Sequence, residues 1–588
     1  MSTRNQNRIL PLAHRRLVLA FSAAVLLSSW HAGAVGSWIP VSSTPPGGGR
    51  AHHMLLLSDA TVMVQHGDNP SWFRLMPDST GGYTNGIWTN DILPMNYGRR
   101  FYASDVLPDG RVFITGGEYP TNGTQQTVSE VYNPTNNLWT ENANTLGVIF
   151  KDSESVVLPD GTVLVHPVGR GPNSPNVTMI YSPASDIWNL GPTNQQNQSE
   201  ATWVKLPDDS ILGVDRPITN IPPRFSERYI PSLNTWIPDA DLPVALYTNG
   251  ETGAAFLLPD KRAFFLGASG HTALYTASGT TNNGSWAAGP DIPDGRFADD
   301  APAAMMSNGK ILCVVGTNNP NGGSGGSAWF YEYDYTGSTT NTDGTLNTNG
   351  AFQKTSCPTN ATAGSFFTTA TFNLSMLDLP DGTVLLSDWG DTNGQLYVYQ
   401  PDGTPVASGK PTIDSIGWNK DGSLHLTGKL FNGISQGSTF GDDAQEASNY
   451  PIVALKDSLG NVTYARTFNW SSTSVMTGGR LVTTEATLPA SVYDAQATYS
   501  LVVIANGIAS HPVTFYGPVW VDFNYTGIFQ FGTYSFPFGA LSNGVAAVSS
   551  GGTIAFRANV QPSISHETTT ISKPMTLISV GGPATIGQ

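Results

Sequence analysis

The stretch "VLPDGRVFITGG" (106–117) decides the fold. One apolar strand runs into Pro-Asp-Gly, and a second apolar strand leaves it. Because Pro fixes φ and Gly accepts a positive φ, these residues form a tight turn. The stretch therefore predicts a β-hairpin.

The same turn recurs along the chain. Its fourth residues are Ala60, Gly110, Gly161, Asp209, Lys261, Gly309 and Gly382, at intervals of 50, 51, 48, 52, 48 and 73 residues. A second signature follows most turns, as in "SEVYNPTNNLW" (129–139), where Tyr ends a third strand and Trp begins a fourth. Four strands in about 50 residues are typical of a kelch-type propeller blade. The sequence predicts an all-β protein with a seven-bladed kelch-type β-propeller over residues 35–410, and a Gly/Asn/Thr-rich insertion (337–350) explains the long last interval.

Three further regions flank the propeller. Residues 1–34 are predicted to be a signal peptide, because four Arg precede the apolar run "LVLAFSAAVLL" (17–27) and "AGA" (32–34) offers a cleavage site. Alternating strands over 411–518 predict an immunoglobulin-like (early-set) β-sandwich. Residues 519–588 resemble the opening rungs of a parallel β-helix, with a strand pair and a loose terminus as the alternative. We expect a secreted protein, extracellular or periplasmic, with attachment to the cell surface as a further option.

Charge and motifs exclude several classes of function. Without residues 1–34 the chain has 24 basic and 44 acidic residues, a net charge of −20. Nucleic-acid binding is not expected, because phosphate contacts need Lys and Arg. No apolar run after the signal peptide is long enough for a membrane helix, and no GxSxG, P-loop or dinucleotide fingerprint occurs. A monomer is expected.

The cysteine content leaves one alternative open. Cys313 and Cys357 are the two cysteines of the chain, and export permits a disulfide between them. Cys313 lies in the apolar stretch "KILCVVG" (310–316), where a buried thiol is equally consistent with the sequence.

Several stretches resemble the galactose oxidase and glyoxal oxidase family of secreted radical-copper enzymes. They are "RRFYASDVLPDGRVFITGG" (99–117), "NGISQGSTFGDDAQEASNYPIV" (432–453), "ARTFNWSST" (465–473) and "LVVIANGIAS" (501–510). The last three are similar to bacterial galactose oxidase-like kelch proteins in particular. The resemblance implies a propeller followed by a sandwich. It also implies a copper held by two Tyr and two His, with one Tyr cross-linked to a Cys and shielded by a Trp.

Most of the copper-site residues that the resemblance implies are missing. Tyr102 falls at the cross-linked Tyr and Tyr119 at the shielding Trp, while His52 and His53 stand where the Cys is expected. Phe372 and Asn373 fall at the Tyr-His pair, and Asp442 at the last His. Phe cannot ligate a metal, and the Asn carbonyl is a poor soft-metal donor. Copper chemistry is therefore not expected.

Carboxylates are predicted at the channel mouth instead, six or seven residues before successive turns. They are Asp152, Glu200, Glu251, Asp299 and Asp300, and a hairpin from the sandwich would add Asp442 and Asp443. Such oxygens suit calcium or another divalent cation, with Asp442, Asp443, Asp300 and Glu200 as metal candidates. A solvated acidic rim is the alternative. The ligand-binding candidates are His52, Tyr102, Tyr119, Asp152, Glu200, Glu251, Asp299 and Asp300.

Three hypotheses for function follow. The first is a secreted protein that binds a glycan or another extracellular ligand at the propeller mouth. The second is an extracellular enzyme with a rebuilt site, either an oxidoreductase with altered metal ligands or a carboxylate-based glycan hydrolase. The third is a structural or adhesive surface protein.

Overall fold

The structure is a computed structural model. It describes residues 35–119, 127–142, 145–150, 153–166, 177–194, 198, 201–214, 225–247, 252–317, 326–340, 344–358, 366–439, 447–493, 496–558 and 563–587. The predicted signal peptide (1–34) lies outside these residues. So do five of the predicted acidic residues, namely Asp152, Glu200, Glu251, Asp442 and Asp443.

Seven antiparallel four-stranded blades confirm the predicted propeller. From the inner to the outer strand, blades 1 to 3 are Ala51–Leu56, Val62–His66, Trp72–Met76, Ile87–Thr89; Ala103–Val106, Val112–Thr115, Ser129–Asn133, Leu138–Glu141; and Ser155–Val157, Val163–Val165, Val177–Ser182, Ile187–Thr193. Blades 4 and 5 are Trp203–Lys205, Ile211–Val214, Ser226–Ile230, Thr235–Pro238; and Ala255–Leu257, Ala263–Leu266, Thr272–Thr276, Ser285–Ala288. Blade 6 is Ala303–Met305, Ile311–Gly316, Ala328–Asp334, Ala351–Lys354. Blade 7 is Leu374–Asp378, Val384–Asp388, Tyr397–Gln400 and, outermost, Ser37–Pro40.

Blade 7 closes the ring with strands from both ends of the propeller sequence. Ser37–Pro40 pairs antiparallel with Tyr397–Gln400, with Trp38 opposite Tyr399. The long interval before the last turn contains a small extra hairpin, Thr339–Thr340 with Leu346–Asn347, between the third and fourth strands of blade 6. The predicted insertion therefore lengthens one blade and leaves the blade count at seven.

The repeated turn is built by its Asp and by its fourth residue. Asp109, Asp160 and Asp381 each accept the backbone N–H two residues further on, at 3.0, 3.0 and 3.1 Å. The fourth residue takes a positive φ in every copy, including non-glycine Ala60 (65°) and Lys261 (76°). The repeat is thus architectural, as the sequence predicts, and its side chains are used in folding the hairpin.

The region after the propeller forms one continuous eight-stranded sheet. Its strands are Thr412–Trp418, Leu424–Lys429, Val482–Thr487, Val462–Phe468, Ile452–Lys456, Thr498–Ala505, Ile508–Ala509 and Val513–Tyr516, with a short helix at Ala490–Tyr493. Leu424, Val453 and Leu501 are among the buried residues of its single apolar core. This C-terminal sheet fits the predicted β-sandwich, with the difference that its strands pair without a break between two layers.

The tail (519–588) contains parallel strands. Val519–Val521, Thr553–Arg557 and Thr576–Val580 form one parallel sheet, and Ser563–Ser565 pairs in parallel with Ala584–Ile586. A helix, Leu541–Ala547, packs on the first strand. Two parallel ladders built from successive turns of chain are the arrangement that the predicted opening rungs of a β-helix require. Short 3-10 turns occur at Pro231–Leu233, Pro293–Gly295, Thr371–Asn373 and Ala407–Gly409.

Candidate functional site

A hairpin from the C-terminal sheet runs along the propeller channel. Ser438–Thr439 pairs with Ala304 and Ala303 on the inner strand of blade 6, and Gly437 is bridged to Ala447 on the returning arm. The sheet itself covers the end of the channel that carries the repeated turns, where the Trp470 N–H donates to the Pro108 carbonyl at 3.0 Å. The start of each inner strand therefore lies at the other end, which we call the mouth.

One buried carboxylate faces this hairpin. Neither carboxylate oxygen of Asp378 has a hydrogen-bond partner among the described residues, although the hydroxyls of Ser438 and Ser448 lie nearby. Burial raises the pKa of Asp378 to about 8. Gly437 has φ 101°, and a Cβ there would lie 2.8 Å from Asp378 Oδ2, so only glycine lets the hairpin pass this carboxylate.

Asp378→Asn is expected to stabilise the protein increasingly between pH 4 and pH 8. The folded-state pKa lies above the ordinary value of 3.8, so the folded state keeps a proton that the unfolded state has released. The contribution of Asp378 to the free energy of unfolding therefore falls as pH rises from 4 to 8, by about 1.4 kcal/mol per pH unit. Urea unfolding of both proteins at several pH values checks this. Exposed Asp414→Asn is the control, and a gain that does not change with pH would contradict the argument.

A second buried pair lies at the covered end of the channel. Asp105 and Lys205 line a cavity of about 20 Å³ closed by Tyr450 and Trp470. Burial raises the pKa of Asp105 to about 7 and lowers that of Lys205 to about 8. The cavity has room for about one water molecule, which makes it part of the seal between the sheet and the propeller.

Residues from three blades meet at the mouth. This mouth cluster consists of Arg50, His52, Arg100, Phe101, Tyr119, Asn373 and Trp389. The first four stand at or just before the inner strands of blades 1 and 2, and Asn373 precedes that of blade 7. Tyr119 and Trp389 follow the second strands of blades 2 and 7. The propeller thus places them side by side because each is at the same end of its blade.

Aromatic rings and guanidinium groups alternate in the mouth cluster. The Cζ atom of Arg100 lies 4.7 Å from the Phe101 ring, 4.6 Å from Tyr119 and 4.4 Å from Trp389. Arg50 stacks on the same indole at 4.0 Å. Tyr119 is 58% exposed, so its ring is available to a ligand. Cation–π stacking orients both guanidinium groups, and a guanidinium held in this way presents its N–H groups in one plane.

Buried polar atoms lie beneath these rings. His52 is 4% exposed, and neither of its ring nitrogens has a well-aligned hydrogen-bond partner among the described residues, although the backbone of Phe372 lies close to the ring. Asn373 Oδ1 and Trp389 Nε1 also have no hydrogen-bond partner among the described residues. Burial, together with the charge of Arg100, lowers the pKa of His52 to about 3, so its imidazole is neutral. Buried polar groups without partners are uncommon in folded proteins, and they mark this cluster as a candidate ligand site.

The structure places one predicted site residue, Tyr102, in the interior of the propeller. Tyr102 is buried, and its hydroxyl donates to Gln65 Oε1 at 2.8 Å inside blade 1, while its ring contacts His53 at 4.7 Å. Phe101, with φ 54°, turns its ring into the mouth cluster instead. The neighbouring rings of Phe101 and Tyr102 therefore contact different residues, His52 and Tyr119 for Phe101 and His53 for Tyr102.

Three other residues singled out from the sequence, Phe372, Asp299 and Asp300, lie within the described ranges. Phe372 offers no polar group, and its backbone lies beside His52. The backbone carbonyl of Asp299 accepts the Thr371 hydroxyl at 2.7 Å, and Asp300 adopts φ 45°. Among the described residues no group of three or more His, Cys, Asp or Glu could hold a metal ion. The divalent-cation site stays a prediction, because Asp300 is the one metal candidate within the described ranges.

The described residues at the positions that the resemblance implies offer few of the copper ligands of the radical enzymes. Phe101 and Phe372 have no phenolate, Tyr102 faces the interior of blade 1, and the Asn373 side chain donates to Thr369 Oγ1 at 3.3 Å. His53 bonds to Ser104 Oγ at 3.0 Å. Among the described residues the two-Tyr, two-His ligand set is not assembled at the mouth.

The sequence leaves open whether the two cysteines pair, and the structure shows no disulfide between them. Cys313 and Cys357 are both buried and are not joined to each other. Cys313 lies on the second strand of blade 6, and burial raises the pKa of its thiol. Cys313 is therefore a buried thiol in an apolar strand, which is one of the two alternatives that the sequence leaves open.

Sequence reasoning did not single out Arg50, Arg100, Phe101 and Trp389. The sequence does contain a signal for Trp389. When the turns are aligned, "LLSDWG" (385–390) has Trp389 at the position of Gly117 in "FITGG" (113–117). Arg50 precedes the inner strand of blade 1 by one residue, and Arg100 precedes that of blade 2 by three residues. An alignment of blades 1 and 2 shows this similar placement.

Comparisons with known proteins place the chain among distant structural neighbours. No protein-family model matches the sequence, and a search of curated proteins found no match. Among solved structures, the chain is similar to a fungal alcohol oxidase of the AA5 family in complex with copper, at 12% identity and a TM-score of 0.44, over 82% of this chain and 99% of that one. It is also similar to the protein YjhT, at 12% identity and a TM-score of 0.35, over 53% of this chain and all of that one. Similarities at this level say nothing about what this chain binds. In the described part of the chain, no helix is long and apolar enough to span a membrane.

Proposed function

We propose that this chain is a secreted galactose oxidase-like kelch-propeller protein without an intact radical-copper site, and that it binds a glycan at the mouth cluster. One observation carries the proposal: exposed and stacked aromatic rings surround buried polar atoms that have no partner within the described protein. Ligand sites combine apolar or aromatic walls with a few polar groups that fix orientation.

A sugar suits this combination of groups. The C–H face of a pyranose packs against an aromatic ring, and its hydroxyls both donate and accept hydrogen bonds. Tyr119 and Trp389 supply rings, while His52 and Asn373 supply acceptors and donors. The neutral state of His52 keeps one ring nitrogen as an acceptor, which a hydroxyl donor requires.

The proposal predicts retention of the protein in gels that contain a soluble polysaccharide. The panel comprises galactan, xyloglucan, arabinoxylan and three polyuronates. Tyr119→Ala is expected to weaken binding about tenfold, because the exposed ring contributes stacking worth about 1.4 kcal/mol. Phe529→Ala removes an equally exposed ring (57%) from the tail and should leave binding unchanged.

Two outcomes would contradict the proposal. One is no retention by any polysaccharide of the panel, and the other is equal losses for both variants. A copper-loaded sample tests the enzyme alternative: we expect neither a radical absorption band nor peroxide from primary alcohols or aldehydes. Either signal with stoichiometric copper would establish an oxidase and reject the absence of a radical-copper site.

A further inference from the structure

We propose that the mouth cluster selects an acidic glycan and that Arg50 receives the carboxylate of a uronic acid residue. The inference rests on the proposed function, because it names the class of glycan that the same site takes. It assigns a specificity-determining role to Arg50 and a supporting role to Arg100.

The charge at the mouth cluster is opposite to that of the chain. Residues 35–588 carry a net charge of −20, yet two guanidinium groups stack on the single indole of Trp389. His52 adds no positive charge, since its imidazole is neutral. Two like charges on one ring repel each other, and an anion bound by Arg50 would relieve that repulsion.

Two described acids next to Trp389 in the sequence, Asp388 and Asp391, accept hydrogen bonds from the chain around blade 7. Asp388 accepts the Thr369 hydroxyl at 3.0 Å and the Gly390 N–H at 2.7 Å. Asp391 accepts the N–H groups of Asn393 and Gln395 at 2.9 and 3.0 Å. No described carboxylate forms an ion pair with Arg50, although Asp388 is near enough to feel its charge. Within the described ranges, Arg50 is therefore a cation that stacks on Trp389 and has no carboxylate partner.

Stacking explains why arginine and not lysine suits this position. A guanidinium lying flat on an indole points its N–H groups outward in one plane, which matches the two oxygens of a carboxylate. A neutral sugar would gain nothing from a second positive charge. The exposed Tyr119 ring beside Arg100 gives the same acidic sugar a face to pack against.

The test compares polymers that differ only in charge. Wild-type protein is titrated by calorimetry with polygalacturonate, alginate and hyaluronate, and with the methyl ester of each. We expect one acid form to bind at least about tenfold more tightly than its ester, since a charge-assisted bidentate contact is lost on esterification. We also expect this preference to shrink as salt is raised.

Matched variants locate the effect. Arg50→Gln is expected to lower affinity for the acid form about tenfold or more and to remove the preference over the ester. Arg50→Lys should retain part of the preference for the acid form over the ester. Arg466→Gln is the control, because Arg466 stacks on Phe468 at 5.1 Å in the C-terminal sheet and carries the same charge far from the mouth. Thermal unfolding confirms that each variant is folded.

The outcomes separate the two proposals. Binding of acid and ester forms with equal affinity, or a glycan bound equally by wild type and Arg50→Gln, overturns the acidic selectivity and leaves the proposed function standing. Equal losses for Arg50→Gln and Arg466→Gln also overturn it, since they show a general charge effect. Failure of every polysaccharide to bind overturns the proposed function itself.

Discussion

Glu130→Gln is expected to lower the free energy of unfolding by about 3–5 kcal/mol, because it leaves a buried positive charge without its partner. The side chains of Arg99 and Glu130 are both 0% exposed and form an ion pair. Arg99 Nη1 also donates to the Gly116 carbonyl at 2.9 Å, and Glu130 Oε2 accepts the Asn96 N–H at 2.7 Å. The pair thus ties the segment that carries Arg100 and Phe101 to the third strand of blade 2. Burial lowers the pKa of Arg99, and Glu130 opposes that change.

An exposed pair in the same propeller is the control. Arg262 and Asp260 lie 2.7 Å apart with side chains 23% and 31% exposed, so Asp260→Asn should cost at most about 1 kcal/mol. Denaturant unfolding of both variants gives the comparison. Losses of similar size would show that the Arg99–Glu130 pair contributes little to stability.

Trp38→Ala is expected to destabilise the protein by about 3–5 kcal/mol, because it removes the main anchor of the strand that closes the ring. The Trp38 ring contacts Phe330 at 4.9 Å and Tyr399 at 4.8 Å, and its Nε1 donates to the Ser356 carbonyl at 3.0 Å. These contacts join blade 7 to blade 6 through the first strand of the chain. Without them the propeller can open between its two ends.

The outer strand of blade 1 supplies a matched position. Trp88 also donates its Nε1 to a backbone carbonyl, that of Ser43, at 3.0 Å, and packs on Phe73 at 6.2 Å. Its strand follows the rest of blade 1 along the chain and does not close the ring. Trp88→Ala should therefore cost clearly less than Trp38→Ala in thermal and urea unfolding. The reverse order would contradict the role given to Ser37–Pro40.

Local signals account for what the sequence predicts correctly. The Pro-Asp-Gly turns fold through contacts within a few residues, as Asp109 and Gly110 illustrate, so their period reveals seven blades. The parallel strands of the tail match one of the two alternatives that the sequence leaves open there. The closing strand Ser37–Pro40 pairs with residues some 360 positions away, and no local pattern encodes that partner.

The candidate site was harder to predict because it depends on register and on three blades at once. Phe101 and Tyr102 precede the strand Ala103–Val106, and the positive φ of Phe101 (54°) accompanies the different partners of their two rings. Arg50, Arg100 and Trp389 lie in blades 1, 2 and 7, and only closure of the ring brings them together. The resemblance to radical-copper enzymes made Phe372 and Asn373 candidate site residues, and Asn373 lies in the mouth cluster.

Hydrogen–deuterium exchange with and without the tightest-binding polysaccharide tests the central claim that the mouth cluster is the ligand site. The account predicts slower exchange in residues 49–53, 99–102 and 387–391, which carry Arg50, Arg100 and Trp389. It predicts no change in the strands Val462–Phe468 and Thr576–Val580 of the C-terminal sheet and the tail. Slower exchange confined to the C-terminal sheet or the tail, with the mouth segments unchanged, would contradict it.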